Sequence, residues 1–118
     1  MGDDTYEIEV YSTDGGVEPF TNWLQALKDQ RAQRTVLLRI QRIRLGNFGD
    51  SKSLRGTQDV YELRIDYGPG LRVYFAKIEK KLIILLGGGN KASQEKDIDR
   101  CVSYWHVYKE KIDNEKKS

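Results

Sequence analysis

The chain has 118 residues and a mass of 13.7 kDa, which is the size of a single domain. With 38% hydrophobic and 32% charged residues, and no apolar run approaching the ~20 residues that span a bilayer, it is predicted to be soluble and globular. One cysteine and one histidine exclude an intrachain disulfide, a zinc finger and any mechanism that needs two histidines. The acidic N-terminus lacks the features of a secretion signal, so we expect a cytoplasmic protein without metal or cofactor.

The net charge of +2 is unevenly distributed along the chain. Residues 1–20 carry six acidic side chains and no basic one, whereas residues 28–64 carry nine basic side chains against four acidic ones. A basic segment of this kind suits a polyanionic partner. A solvated helix face has the same composition, so the charge alone leaves both interpretations open.

The first half of the chain is predicted to form one strand and two helices. Apolar and acidic residues alternate over residues 5–11, which is typical of a strand with one solvated face. A helix is predicted over residues 18–28, because Pro19 fits its first turn and apolar residues then recur at helical spacing. A second helix is predicted over residues 31–45, ended by Gly46. The residues expected to face the core are Phe20, Trp23, Leu24 and Leu27 on the first helix, and Ala32, Val36, Ile40 and Ile43 on the second.

The second half of the chain is rich in strand signals. A short extended segment is expected over residues 51–55, and the unbroken apolar run at 82–86 predicts a central strand. Gly87-Gly88-Gly89 is predicted to turn the chain into a last helix that begins near Ser93, and residues 113–118 are expected to fray. The core face of that helix is predicted to comprise Ile98, Cys101, Trp105 and Tyr108.

Between these segments lies a predicted hairpin over residues 61–66 and 71–76, joined by a three-residue turn at Gly68-Pro69-Gly70. That turn would place Arg64 opposite Tyr74 and Asp66 opposite Arg72. The polar face of the hairpin then comprises Glu62, Arg64, Asp66, Arg72 and Tyr74. The order β-α-α-β-β-β-α predicts a small single α+β domain over residues 1–118, with a mainly antiparallel four-stranded sheet and helices packed on it.

Four stretches in this order resemble a known family. They are Ser51-Lys52-Ser53-Leu54-Arg55-Gly56, Tyr61-Glu62-Leu63-Arg64-Ile65, Leu71-Arg72-Val73-Tyr74-Phe75, and the glycine-rich run from Gly87 to Ile98. Each string is short and unspecific, but their order and spacing resemble the RelE/ParE toxin superfamily. Within it, the chain is most similar to the addiction module killer protein group of type II toxin–antitoxin systems.

The resemblance implies a toxin that is held inactive by a helix-turn-helix antitoxin. RelE-like members enter the ribosome and cut mRNA, whereas ParE-like members inhibit DNA gyrase without cutting RNA. A third alternative is an inactive toxin that retains only antitoxin binding. RNA cleavage in this family needs no metal, because the 2′-hydroxyl attacks the neighbouring phosphate. The resemblance therefore favours an endoribonuclease whose partners are the antitoxin, the ribosome and mRNA, and leaves the gyrase inhibitor as an alternative.

The resemblance also assigns candidate site residues. The phosphate-binding cations of RelE-like cleavers correspond to Arg72, Arg64 and Lys91, and guanidinium groups suit a phosphate. The alternative for Arg72 is a plain surface ion pair with Asp66, which would contribute only ~0–1 kcal/mol. The chain departs from the best-known cleaver at Glu62, where that protein has lysine, and around Asp97, where it has tyrosine.

The remaining candidates each have a structural alternative. Glu62 or Asp97 could act as the general base, or could be a solvated strand residue and a helix N-terminal charge. Lys52 and Arg55 are expected to bind the RNA backbone, or to be plain surface charges. Tyr74 could stack on an RNA base or pack across the hairpin. Outside this group, Cys101 is expected to be a buried core residue and His106 a surface residue.

Overall fold

The computed structural model describes residues 5–54 and 56–117. Its elements are β1 (Glu7–Val10), α1 (Pro19–Ala26), α2 (Gln30–Arg44), β2 (Ser51–Ser53), β3 (Val60–Ile65), β4 (Leu71–Ile78), β5 (Leu82–Asn90) and α3 (Gln94–Lys117). The strands form one sheet in the order β1-β5-β4-β3-β2, with β1 parallel to β5 and the other neighbours antiparallel. The predicted α+β class is confirmed, whereas the prediction of four strands is wrong, since Ser51–Ser53 pairs with β3 and the sheet has five mixed strands.

The helices cover both faces of the sheet. One apolar cluster joins the sheet to α1 and α2, and includes Phe20, Val36, Ile43, Val73 and Ile83. The other joins the opposite face to α3, and includes Val60, Tyr74, Ile84, Cys101 and Trp105. A strand that is covered on both faces is apolar at successive positions, and this explains the buried run from Ile83 to Leu86 in β5.

The helices follow their predicted hydrophobic stripes. On α2, Ala32, Val36, Ile40 and Ile43 are buried, as predicted. On α3, Cys101 and Trp105 are buried, while Ile98 and Tyr108 pack partly buried beside them. Residues 113–117, which were expected to fray, continue α3 to Lys117. No helix in the described part of the chain is long and apolar enough to cross a membrane.

The hairpin between β3 and β4 has a longer loop than the sequence predicted. Asp66 and Tyr67 leave the strand ladder, so five residues connect Ile65 to Leu71. Tyr67 is held from outside the hairpin, because its hydroxyl donates to Asp29 Oδ2 at 2.7 Å. Asp29 also caps α2, since its other carboxylate oxygen accepts from the backbone N–H of Arg31 at 2.8 Å. The loop is therefore tied to the start of α2 by this hydrogen bond.

Because the loop is longer, the pairing of the two strands differs from the predicted pairing by two residues. Arg64 lies opposite Arg72, and Glu62 lies opposite Tyr74. The predicted pairs Arg64–Tyr74 and Asp66–Arg72 are therefore wrong, and Asp66 lies in the loop rather than on the polar face. The surface ion pair that was the alternative role for Arg72 does not form.

The glycine run is part of β5 rather than a turn, which corrects the prediction for residues 87–89. Each glycine accommodates a side chain from a helix packed against the strand. A Cβ on Gly87 would lie 2.8 Å from Cys101 Sγ, one on Gly88 would overlap the Trp23 indole, and one on Gly89 would overlap the Asp97 carboxylate. The run therefore allows α1 and α3 to approach the backbone of β5 from opposite faces.

Candidate functional site

Four side chains from the neighbouring strands β3 and β4 form the candidate site, on the face of the sheet that α3 partly covers. Glu62 and Arg64 follow each other at alternate positions on β3, and Arg72 and Tyr74 do so on β4. Because β-strand side chains alternate between faces, all four point to the same side. The four residues form a two-by-two arrangement, with Arg64 paired to Arg72 and Glu62 paired to Tyr74.

The pairing of Arg64 with Arg72 places two positive charges directly opposite each other. Like charges at directly opposed positions of an antiparallel pair destabilise the sheet. Arg64 has a carboxylate partner, since its Nε lies 3.2 Å from Glu62 Oε1. By contrast, Arg72 Nε is buried and has no hydrogen-bond partner among residues 5–54 and 56–117. An anion placed between the two guanidinium groups would relieve both the repulsion and the unmet donor.

Glu62 is the buried charged residue of the described core, with 0% of its surface exposed. Its Oε1 accepts from Arg64, and its Oε2 accepts from the Gln94 side-chain amide at 2.7 Å. The carboxylate borders a cleft of about 410 Å³ that is also lined by Lys52 and Gln94. Lys52 is the residue on β2 that pairs with Glu62, so it lies at the side of the carboxylate away from Tyr74.

Tyr74 is the aromatic member of the four residues. Its side chain is fully buried in the apolar cluster between the sheet and α3, which agrees with packing within the sheet rather than with stacking on an RNA base. Burial raises the pKa of the phenol above its ordinary 10.0, and the charges of Glu62 and Asp97 raise it further. The hydroxyl is buried and lacks a hydrogen-bond partner among the described residues. Tyr74 is therefore a neutral group next to the buried carboxylate.

Lys91 lies beside Arg72 at the end of β5. Its backbone N–H donates to Gly70 O at 3.2 Å, and a Cβ on Gly70 would lie 3.9 Å from both Arg72 Nη1 and Lys91 Cβ. The turn that carries Lys91 is fixed by Asn90, whose Oδ1 accepts from the backbone N–H of Ser93 at 3.0 Å. The structure thus places Lys91 next to Arg72 and Arg64 opposite Arg72, and these are the three cations that the resemblance assigned to the site.

Asp97 has a structural setting that differs from that of Glu62. Its carboxylate is hydrogen bonded to the Ser93 hydroxyl in the first turn of α3 and packs against the backbone of Gly89. Gln94, which the sequence did not single out, contacts the site more closely, because it binds Glu62 directly. No residue pattern marks this glutamine, since only the docking of α3 onto the sheet places it there. Arg55 lies outside the described residues.

His106 and Cys101 were expected to have no role in the site, although Cys101 packs in the same apolar cluster as Tyr74. His106 is exposed on α3, as predicted. Cys101 is buried, as predicted, and burial, together with a smaller effect of Asp97 that Arg100 opposes, raises the pKa of its thiol to about 12. Among the described residues, no three His, Cys, Asp or Glu side chains come together as a metal site.

We expect Cys101 to resist an aromatic disulfide reagent near pH 8, because the reactive thiolate is scarce and its sulfur is covered. The same chain unfolded in guanidinium should react at once, as followed by the absorbance of the released thiolate.

The raised pKa of Cys101 also predicts that folding stability falls as pH rises from 9.0 towards about 12, since the thiol of the unfolded chain ionises first. Cys101→Ala should make that decline shallower, and an unchanged decline would contradict this assignment.

Comparison with known proteins finds an uncharacterized relative of this chain. No protein-family model matches the chain, and no solved structure matches it significantly. An uncharacterized protein of Haemophilus influenzae is 48% identical over 82 residues, which are 70% of this chain and 81% of the relative. Identity at this level over most of the relative shows common descent. The chain therefore belongs to the same family as this Haemophilus influenzae protein.

Proposed function

We propose that this protein is a RelE/ParE-type toxin of a type II toxin–antitoxin system and acts as a ribosome-dependent mRNA endoribonuclease. The observation that carries the proposal is the directly opposed pair Arg64 and Arg72, in which the buried Nε of Arg72 has no partner within the described residues. Two facing guanidinium groups destabilise a sheet, so their presence beside a buried carboxylate suits the binding of an anion rather than the stability of the fold. A phosphodiester is an anion that this pair could bind through several donors.

Cleavage would proceed by attack of the 2′-hydroxyl oxygen on the adjacent phosphorus. Arg72 and Arg64 would stabilise the additional negative charge on the phosphate oxygens, with Lys91 as a third cation at the edge of the site. The bond from phosphorus to the 5′-oxygen would break, leaving a 2′,3′-cyclic phosphate. The departing 5′-oxygen would take a proton from water.

Glu62 is the best candidate for the group that removes the 2′-proton. It is the carboxylate next to the paired arginines, and it borders the cleft that Lys52 also lines. In the free chain the Gln94 side-chain amide donates to Glu62 Oε2, and a substrate hydroxyl would take the place of this amide. Asp97 is the weaker candidate, because its carboxylate is bound by Ser93 and packed against β5. Lys52 would contact the RNA backbone at the entrance of the cleft.

The proposal is tested by adding purified protein to a cell-free translation reaction and mapping mRNA 5′ ends. We expect protein synthesis to stop, with new 5′-hydroxyl ends in register with codons, and no such ends when ribosomes are left out. A parallel supercoiling assay with purified DNA gyrase addresses the ParE-like alternative. Intact mRNA with inhibited gyrase would replace the ribonuclease by that alternative, and no effect in either assay would favour an inactive toxin.

We expect Glu62→Gln to lower the rate of mRNA cleavage by about 100-fold, because an amide of the same shape cannot accept the 2′-proton. Asp97→Asn is the matched control, since it makes the same chemical change at the rival carboxylate and should leave the rate within about threefold of wild type. Single-turnover cleavage on stalled ribosomes measures both. Equal losses in the two variants, or a loss confined to Asp97→Asn, would contradict the assignment of Glu62.

A further inference from the structure

The outer edge of β5 is open along its glycine run. On this side β1 pairs with β5 only from Leu82 to Leu85, whereas β5 continues to Asn90. The uncovered edge forms the floor of a cavity of about 360 Å³. Trp23 from α1 lines one side of this cavity, and Tyr104 from α3 lines the other. Small-molecule sites have volumes of roughly 300 to 1,000 Å³, so the cavity is large enough for a small planar ligand.

Gly88 presents a backbone donor and a backbone acceptor to this cavity. In an antiparallel pair, alternate residues direct both N–H and C=O at the neighbouring strand, and the residues between them direct both groups away from it. The N–H of Lys91 points to β4, because it donates to Gly70 O at 3.2 Å. The regular ladder that follows turns the groups of Gly89 towards β4, and those of Gly88 and Asn90 towards the open edge.

The open edge offers one residue rather than the length of a strand. Before Gly88, the outward C=O of Leu85 accepts from the N–H of Tyr11 at 2.9 Å. After it, the N–H of Asn90 donates to the Ser93 hydroxyl at 3.3 Å, and the C=O of Asn90 accepts from this hydroxyl at 3.4 Å. An added peptide strand needs hydrogen bonds at every second residue. Since both neighbouring positions are occupied from within the chain, the edge does not suit an added strand.

A nucleobase fits the donor and acceptor of Gly88. The Watson–Crick edge of a base carries neighbouring donors and acceptors, which proteins read in single-stranded RNA while the base stacks on an aromatic side chain. Trp23 supplies the aromatic surface, because its indole lies against Gly88 and lines the cavity. Glycines within a strand are typical of places where a ligand approaches the backbone, and bulges are frequent next to active sites. β5 has both features, since its register shifts opposite Tyr74 and Phe75, directly before the glycine run.

We propose that this cavity, the base slot defined by Gly88, Trp23 and Tyr104, binds a nucleobase through the N–H and C=O of Gly88. Gly89, the next residue, pairs with Arg72, so the slot lies one strand away from the proposed phosphate site. Neighbouring strands are roughly 5 Å apart, a distance that one nucleotide spans. The base of an RNA nucleotide can therefore occupy the slot while its phosphate lies towards Arg72. The choice of RNA as the source rests on the proposed function, whereas binding of a base at Gly88 does not.

Backbone amide shifts of the labelled chain test the slot with the four nucleoside 5′-monophosphates, and with ribose 5-phosphate as the ligand that lacks a base. We expect a nucleotide to shift the Gly88 amide and the Trp23 indole N–H, and ribose 5-phosphate to leave the Gly88 amide unchanged. Trp23→Leu should weaken nucleotide binding about tenfold, because the stacking surface is lost, while Trp23→Phe should stay within about threefold of wild type. Trp105→Phe is the matched control, since Trp105 is buried between α3 and the sheet.

Two arms of the experiment distinguish the source of the base. If the source is RNA, a pentaribonucleotide should bind about tenfold more tightly than the mononucleotide, and Arg72→Ala should remove this gain but keep the Gly88 shift. Equal binding of both ligands by wild type and Arg72→Ala would identify a free nucleotide as the occupant of the slot.

The proposal is overturned if no nucleotide shifts the Gly88 amide, if ribose 5-phosphate shifts it equally, or if Trp23→Leu binds as tightly as wild type. It is also overturned if a mixture of random heptapeptides shifts this amide and nucleotides do not. None of these measurements involves cleavage, so failure of the slot and failure of the proposed function are distinguishable.

Discussion

Replacing Arg72 with alanine should reduce ribosome-dependent mRNA cleavage by about a thousandfold, because it removes the donors that face the phosphate when its charge increases. The same variant should be at least as stable as wild type. It removes a positive charge that lies directly opposite Arg64, together with a buried Nε that has no partner in the described chain. Loss of activity with retained stability is the signature of a functional residue, whereas an arginine retained for structure would show both losses.

Two further substitutions extend this test, one that removes the charge of Arg72 but keeps its apolar stem, and one that removes the opposed Arg64. Arg72→Met keeps most of the apolar stem and should match Arg72→Ala in cleavage while unfolding at an equal or higher denaturant concentration. Arg64→Ala should differ, because it leaves the buried Glu62 with Gln94 alone and should destabilise the chain by about 1 to 3 kcal/mol. Arg100→Ala, an exposed arginine on α3, is the control for loss of one positive charge.

The assays for this prediction are single-turnover cleavage on stalled ribosomes and urea unfolding followed by circular dichroism. Cleavage by Arg72→Ala at the wild-type rate would remove Arg72 from the proposed mechanism. A large loss of stability in Arg72→Met would show that the guanidinium has a structural partner. Either result would also remove the main support for an anion site between the two strands.

Local sequence patterns were sufficient to predict the helices and to predict which residues share the polar face of the hairpin. The buried stripe of α2 follows from residues spaced three and four apart, and no distant contact is needed to explain it. The predicted register of the hairpin was wrong by two residues. A shift by two residues nevertheless keeps every strand side chain on the same face of the sheet. Glu62, Arg64, Arg72 and Tyr74 therefore share one face, as predicted, and only Asp66 leaves it.

The features that could not be predicted depend on contacts between distant parts of the chain. The hairpin loop is longer than its turn signal predicts, and the hydroxyl of Tyr67 in this loop donates to Asp29, 38 residues earlier. The Gly-Pro-Gly turn signal contains no information about that bond. Burial of Tyr74, and the contact between Gln94 and Glu62, likewise arise only when α3 packs on the sheet.

The glycine run shows the same dependence on distant contacts and leads to the largest stability effect that we expect. Glycine is uncommon within strands, so three in succession indicate a turn when the sequence is read locally. In the fold, Gly88 faces α1 and lies directly under the Trp23 indole. Gly88→Ala should therefore destabilise the chain by about 3 kcal/mol, since the added methyl group meets an aromatic ring in a packed layer and either α1 or β5 must shift.

A double-mutant cycle with Trp23→Leu tests this cause directly. Because leucine leaves space above Gly88, Gly88→Ala should cost less in that background, with a coupling energy of about 1 kcal/mol or more. Gly15→Ala is the control, because its Cβ would meet no atom closer than Thr13 Oγ1 at 3.9 Å, and it should change stability by less than about 0.5 kcal/mol. Urea unfolding measures all four variants. An equal cost of Gly88→Ala in both backgrounds would show that the glycine is required by the backbone of β5 itself, and not by the approach of α1.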